Sequence, residues 1–400
     1  PDYSPDLLLS HNYITHLLVA RKETIVRAGG FRPEFDGAQD YDLLLRLTEQ
    51  TDKVFHIPEP LYHWRQSVQS TSLDAGAKPL AHLRGKQALS EALARRGIEG
   101  EVLTANAPHY FRVRRAIMNR PSVDVIIPFR DQPLMLQQCI DALIFNTRYP
   151  NFRVLGVDNG SVEALTLEIK DKYQRETDRV RFVSLDRPFN FSELVNFGVQ
   201  QGESEHVVLM NNDIQVINSD WLEAMLEHSQ RAEVGAVGAK LYYPDDTIQH
   251  AGIAIGIGNY AGHPHKRAEG GYSGYLNRLH NIQNVSAVTG AMMMVERHIY
   301  QSVGGFDEKA FKIACNDVDF CLRLRKQGLL NVFTPYARAY HHESVSRGYE
   351  DTPEKKSRFE EEVEAFRKRH AEGLSKGDPY YNPHFRLDTE EVFVRPWTPH

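Results

Sequence analysis

Hydrophobic and polar positions alternate in a regular way between residues 121 and 215. Val123–Phe129 is a β-rich apolar run bounded by Pro121 and by Arg130-Asp131. Residues 134–147 have helical periodicity. Residues 153–157 are apolar and run into Asp158-Asn159-Gly160-Ser161, a turn signal. Residues 163–177 read as a polar-faced helix, 180–185 as a strand, and 192–201 as a short helix capped by Ser192. His206–Met210 is a further strand, ending in Asn211-Asn212-Asp213. Strands spaced by helical segments predict βαβ units, an α/β fold and a mostly parallel sheet. Such sheets bind ligands at the carboxyl ends of their strands. Asp131, Asp158, Asn159 and Asp213 all follow strands there.

Beyond residue 215 the pattern loosens. Residues 220–231 predict a helix and 236–243 a strand. Residues 244–284, rich in Gly, His, Tyr and Asn, predict long loops. An apolar run at 285–295 contains Met292, Met293 and Met294, and Gly304-Gly305-Phe306 is a turn. Residues 317–327 predict a helix, 331–342 a strand, and 353–370 a charged helix with an apolar stripe of Phe359, Val363 and Phe366. The tail from Asp378 reads as extended. Residues 1–120 do not open with βαβ, and 80–97 is their clear helix.

Part of that first segment repeats the later sequence. Leu18-Val19-Ala20-Arg21-Lys22-Glu23 through Gly29-Gly30-Phe31 parallels Met293-Met294-Val295-Glu296-Arg297 through Gly304-Gly305-Phe306. Gln39-Asp40-Tyr41-Asp42 through Leu47 parallels Asn316-Asp317-Val318-Asp319 through Leu324, and Tyr62-His63 parallels Tyr340-His341. Three matches in the same order predict an internal duplication of half a domain. The expected division is a partial domain at 1–115, a complete one at 116–350, and a helix with an extended tail at 351–400. In the partial domain Asp40 and His63 would sit where Asp317 and His341 sit, with the βαβ half of that domain upstream. The chain starts at Pro1 rather than Met, and a piece of a longer polypeptide is expected.

Composition narrows the function. The 400 residues allow about two to three domains. Lys+Arg is 47 against 53 Asp+Glu, a net charge of −6, which argues against nucleic acid as the main partner. Cys139, Cys315 and Cys321 cannot build a disulfide framework, so a reducing compartment is expected. No apolar run approaches the ~18 residues of a membrane span.

Asp213, at a strand end, is placed to hold a divalent metal against a diphosphate; a turn Asp capping the next segment explains it equally. Asp158 is either a turn residue or an acceptor for a nucleobase N–H. Asp317 and Asp319 face different ways on a helix, one as a first-turn acid and the other as a general base. Of His341 and His342, only one can point to the ligand side of its strand, and a neutral imidazole there suits a Mn²⁺-like ion. A satisfied core or surface histidine is the plainer account.

In combination these segments resemble the inverting nucleotide-sugar glycosyltransferases of family 2, with the GT-A fold. The resemblance runs from Ser122 to Ser346. It rests on Val125-Ile126-Ile127-Pro128-Phe129-Arg130-Asp131, Val157-Asp158-Asn159-Gly160-Ser161, Asn211-Asn212-Asp213, Gly304-Gly305-Phe306-Asp307, Asn316-Asp317 and Tyr340-His341-His342-Glu343-Ser344. Gln249-His250-Ala251-Gly252 and Asp378-Pro379-Tyr380-Tyr381-Asn382-Pro383 are similar to O-antigen and capsule members. The implied fold is a Rossmann-like, mostly parallel sheet with flanking helices.

The resemblance implies donor binding by Pro128, Phe129, Asp131, Asp158, Asn196, Asn211 and Asn212. It implies Mn²⁺ or Mg²⁺ on Asp213 and His341, Asp317 as catalytic base, and Asn316, Asp319 and Gly305 on the acceptor side. Asn211 replaces the first Asp of the family's Asp-x-Asp, Asn316 replaces a Glu, and Val195 replaces an Arg before Asn196, leaving Arg187 as a candidate cation. Implied partners are a UDP-, dTDP- or GDP-linked sugar, a glycan or lipid-linked glycan acceptor, and a membrane-bound assembly or a second copy. The implied location is cytoplasmic, including the inner face of the plasma membrane. Tyr260, Tyr272, Tyr275 and His280 are candidates to stack on sugar rings. Two other readings are a nucleotidyltransferase making nucleotide sugars and a non-catalytic glycan-binding module. Residues 128–135 have no Gly and one Arg, which disfavours the first, because a triphosphate loop is Gly-rich and basic.

Overall fold

The computed structural model describes residues 1–59, 61–62, 79–343 and 352–395; His63 and Ser344 lie outside them. The chain divides into two compact units. The first comprises residues 1–116, joined by 273–284 and 382–384, and the second takes 117–272, 285–381 and 385–400.

Unit 1 contains α1 (Pro5–Leu8), α2 (Lys22–Arg27), α3 (Gln39–Leu47), α4 (Pro79–Arg95) and an antiparallel hairpin of β1 (Gly100–Thr104) and β2 (Phe111–Arg115). Its core joins Leu8, Leu9, Phe35, Tyr41 and Leu45 to Leu89 and Leu93 of α4 and to Val102 and Phe111 of the hairpin. The hairpin is not apparent in the sequence because Val102 is the single buried residue of β1, which leaves no alternation to read.

Unit 2 runs β3 (Val123–Phe129), α5 (Pro133–Asn146), β4 (Phe152–Asp158), α6 (Ala164–Glu176), β5 (Val180–Ser184), α7 (Phe191–Gln201), β6 (His206–Met210), β7 (Ile214–Val216) and α8 (Trp221–Ser229). There follow β8 (Val234–Tyr242), β9 (Ile248–His250), β10 (Ala254–Ile255), β11 (Ala261–Gly262), β12 (Gln283–Val285, of which only Val285 falls in unit 2), β13 (Met292–Glu296), α9 (Arg297–Ser302), α10 (Asn316–Lys326), β14 (Leu330–His341), α11 (Pro353–Arg369) and α12 (Ala371–Lys376). The sheet order includes β14-β8-β13-β6-β3-β4-β5. Pairs β6-β3, β3-β4, β4-β5 and β14-β8 are parallel. β13 is antiparallel between β6 and β8, and β7 is antiparallel to β14. This is the expected α/β architecture, with antiparallel insertions in a mostly parallel sheet.

Every residue of β3 and β6 is buried, as strands covered on both faces require. Gly198 lets α7 lie against β3, since a Cβ there would fall 2.4 Å from Ile126. The cap of α7 is Asn190 rather than Ser192. Asn190 is extended at φ −143°, and its side chain accepts from Glu193 N–H at 3.1 Å. The described part of the C-terminal segment, residues 352–395, does not stand apart. Val363 and Phe366 are buried, Phe359 meets Tyr260 edge-on at 6.1 Å, and apart from 382–384 the segment belongs to unit 2. Among the described residues, no helix is long and apolar enough to cross a membrane.

Candidate active site

The register of β7 against β14 sets His341 opposite Ile214, next to Asp213. Asp213 is 5% exposed, and its Oδ1 receives no hydrogen bond yet lies 3.1 Å from His341 Nε2. The proton on that imidazole follows from its other neighbours. Glu343 is acceptor-only, so the Gln249 amide nitrogen faces it, at 3.1 Å. The Gln249 oxygen then faces His341 Nδ1, at 2.8 Å. Nδ1 therefore donates to Gln249, and Nε2 is the ring nitrogen turned toward Asp213. Asn211 Nδ2 lies 3.2 Å from that nitrogen, and Asn211 Oδ1 is buried without a hydrogen bond. An imidazole nitrogen and a carboxylate oxygen that face each other in a buried corner are groups that could together hold a cation. Of the two histidines weighed from the sequence, His341 faces this corner. His342 instead gives its backbone N–H to Asp213 O, at 3.0 Å.

Asp317 sits beside this corner through the turn that precedes β13. Ala291 O accepts from Asn211 N–H at 3.0 Å, and the adjacent Gly290 N–H donates to Asp317 Oδ2 at 2.9 Å. Asp317 Oδ1 accepts from Val318 N–H at 2.8 Å. Burial raises its carboxyl above the ordinary carboxylate value, opposed by the Gly290 and Val318 N–H groups and the Thr289 hydroxyl. A carboxylate with raised basicity suits proton abstraction. His250, wholly buried, accepts from Gly252 and Thr289 N–H at 3.3 and 3.5 Å, and so helps to fix the segment that presents Gly290.

At the ends of β3 and β4 the polar residues brace one another. Pro128 and Phe129 are buried, and Phe129 meets Phe182 edge-on at 5.7 Å. Asp131 Oδ1 accepts from Val162 and Glu163 N–H at 2.8 and 2.9 Å, at the entry to α6. Asp158 is 3% exposed. Its Oδ1 accepts from Ser161 N–H at 2.8 Å and its Oδ2 is paired with Lys170. Burial would raise that carboxyl, but Lys170 and Ser161 hold it below its ordinary value. Arg187 is exposed and paired with Glu193 at 2.6 Å.

Residues 124–304 match the family described as Glycosyl transferase family 2. The chain carries a glycosyl transferase family 2 domain. It is 44% identical over 397 residues to the uncharacterized protein y4gI of Sinorhizobium fredii, covering 98% of this chain and 44% of that protein. It is 40% identical over 396 residues to the O-antigen biosynthesis protein RfbC of Myxococcus xanthus, covering 99% of this chain and 30% of RfbC. The chain thus spans less than half the length of these two relatives. The mannosyltransferase PcManGT of Pyrobaculum calidifontis, solved with GDP-Man and Mn²⁺, is similar with a TM-score of 0.48 at 17% identity, over 77% of this chain and 78% of that one.

In unit 2, Asn196, Gly305, Asn316 and Asp319, all expected at the substrates, make their contacts within the protein. Asn196 Oδ1 accepts from Phe306 N–H at 3.0 Å and from the Tyr300 hydroxyl at 2.6 Å, while Nδ2 donates to Phe306 O at 2.9 Å. It clamps the Gly304-Gly305-Phe306 turn rather than facing a donor. Gly305 belongs to that clamp. Its φ is +66° and a Cβ would fall 2.5 Å from Asn196 Oδ1. Asn316 is 4% exposed and donates to Ser192 Oγ and Ile313 O at 3.2 and 3.1 Å. Asp319 is wholly buried, bound by Arg323, Arg369 and His370 at 2.8, 3.1 and 2.9 Å. It joins α10 to α11. Asn212 is buried in the turn between β6 and β7. Gln249, Glu343 and His250 were not expected at the site. The Gln249-His250-Ala251-Gly252 motif was the available signal, but nothing local ties it to a residue 92 positions away.

Proposed function

We propose that the family 2 domain is a metal-dependent inverting glycosyltransferase. It would move a sugar from a nucleotide diphosphate to a growing cell-surface polysaccharide. The observation that carries this reading is the pairing of the Asp213–His341 corner with Asp317 across residues 289–291. Among the described residues no group of three or more His, Cys, Asp or Glu side chains could hold a metal alone. Two protein ligands nevertheless fit an ion shared with a diphosphate, because Mg²⁺-like ions keep waters and substrate phosphates in their shell. Asp213 Oδ1 and His341 Nε2 would hold that ion, which supplies charge neutralisation at the leaving diphosphate.

Gln249 and Glu343 keep His341 Nε2 turned toward Asp213. Asp317 accepts the proton of the acceptor hydroxyl as that oxygen attacks the anomeric carbon from the face opposite the diphosphate. The Gly290 and Val318 N–H groups hold the carboxylate still during transfer. The likeness to RfbC supports an O-antigen or related surface glycan as product.

A thermal-shift screen of UDP-, dTDP- and GDP-sugars tests the donor, because a ligand that binds only the folded state raises its melting point. One donor class should stabilise the protein in Mn²⁺ and much less in EDTA. No shift with any of them under either condition would contradict the reading.

A further inference from the structure

The two copies of the repeated segment share a glycine turn and an Asp–Arg clamp and have different surroundings. In unit 2, Arg323 binds Asp319 one helical turn away and donates to Val303 O and Gly305 O at 2.6 Å each. In unit 1, Arg46 binds Asp42 one turn away and donates to Ala28 O and, at 2.8 Å, to Gly30 O. Gly304 and Gly305 have φ +80° and +66°, against +83° and +64° for Gly29 and Gly30. Gly305 N–H closes on Tyr300 O and Gly30 N–H on Ile25 O, both at 2.9 Å. Asp317 Oδ1 accepts from Val318 N–H at 2.8 Å, and Asp40 Oδ1 from Tyr41 N–H at 2.9 Å. Each copy is followed by a 17-residue helix starting at proline, α4 or α11.

What differs is the cover. Met292, Met293 and Met294 are 0% exposed because β13 lies between β6 and β8. Their counterparts Leu17, Leu18 and Val19 are 67, 36 and 85% exposed and form no strand. Phe306 is 2% exposed and packs near Phe191 of α7, whereas Phe31 is 66% exposed. Gly305 is hemmed in by Asn196 of α7, but nothing lies within 4 Å of a Cβ built on Gly30. All three gaps have the shape of the same missing piece: the counterparts of α7, β6 and β8, which precede the repeated segment in unit 2.

We propose that unit 1 is the acceptor-side half of a second transferase site, with Asp40 in the position of Asp317. Its open apolar face receives a donor-binding βαβ half on the same polypeptide, ahead of residue 1. Exposed apolar side chains at Leu17, Leu18, Val19 and Phe31, whose counterparts are buried, call for a partner. A second copy of this chain cannot fill it in the same way, because its own β13 already occupies the slot between β6 and β8. Both long relatives have more than half their length outside the region they share with this chain, which leaves room for such a half. The role given to Asp40 rests on that proposed for Asp317, whereas the docking of the face does not.

Hydrogen exchange therefore separates the two. In the 400-residue chain, amides of Leu17, Leu18 and Val19 should exchange at least a hundredfold faster than those of Met293, Met294 and Val295. In the native polypeptide that contains this chain, protection at residues 17–19 should rise to within tenfold of residues 293–295, and Phe31→Asp should reverse that rise. Residues 17–19 that stay open in the native polypeptide would overturn the proposal. So would protection that appears in the 400-residue chain as its concentration is raised, or a native polypeptide with no βαβ half ahead of residue 1.

Discussion

Residues 17–47 and 292–324 carry similar apolar residues around the same glycine turn and the same Asp–Arg clamp, yet Met292, Met293, Met294 and Phe306 are core while Leu17, Leu18, Val19 and Phe31 are surface. Phe306 is buried and Phe31 exposed, although both follow a Gly-Gly pair with nearly equal φ. Hydrophobicity marks what can be buried. Whether it is buried depends on strands and helices supplied from far along the chain. The clamp is different. It is built within about 20 residues, so it closes in both units whatever lies outside.

That contrast can be broken by paired substitutions. Phe306→Ala should destabilise unit 2 by roughly 3–5 kcal/mol, the range for truncating a buried aromatic. Phe31→Ala should cost less than about 0.5 kcal/mol in the 400-residue chain, as exposed positions do. Chemical denaturation followed by unit-specific fluorescence reads both; equal costs would mean that Phe31 is covered. The clamps should behave alike instead. Arg323→Ala and Arg46→Ala each remove one partner of a wholly buried carboxylate, Asp319 or Asp42, and leave Arg369 and His370 or Arg32 in place, so each should cost less than the roughly 3–5 kcal/mol of leaving such a charge unpaired. Tolerance of Arg46→Ala alone would show that Arg32, 3.1 Å from Asp42 through Nε, suffices to neutralise it.

The chemical difference is sharpened at Asp317. Asp317→Asn should lower turnover by ~10²-fold or more, the scale of losing a general base, with Mn²⁺ binding retained. In the wild type, burial holds this carboxyl above its ordinary range. The base must be ionised to accept a proton, so the rate falls as pH drops through the raised value. The acid limb of kcat/KM should accordingly lie above the pH at which an exposed aspartate titrates. Near-wild-type transfer by a well-folded Asp317→Asn protein would assign the proton to another group.

Much of this was legible in the sequence. Val123–Phe129 and His206–Met210 have the limits that the apolar runs predict, because a strand buried on both faces reads as a near-continuous apolar run, interrupted here only by Asp124 and His206 near the strand starts. The meeting of Asp213 and His341 was also legible, through strand ends and a family pattern. The directions of Asn196, Asn316 and Asp319 were not. Each sits in a motif of the right residue types, but its partners lie as far off as Phe306, Ser192 and His370, and only the packed structure decides which way the side chain turns. Gln249 escaped notice for the same reason, since its role exists only once β9 and β14 flank β8.

The most direct test of the account is calorimetric titration of the donor nucleotide diphosphate, with UDP, dTDP and GDP each tried in Mn²⁺ and in EDTA. The wild type should bind one of them in Mn²⁺ and weakly in EDTA. Asp213→Ala and His341→Ala should each remove most of the Mn²⁺-dependent gain, while His342→Ala keeps it. Binding that is equal in Mn²⁺ and EDTA, or that survives loss of both Asp213 and His341, would contradict a metal site at that corner.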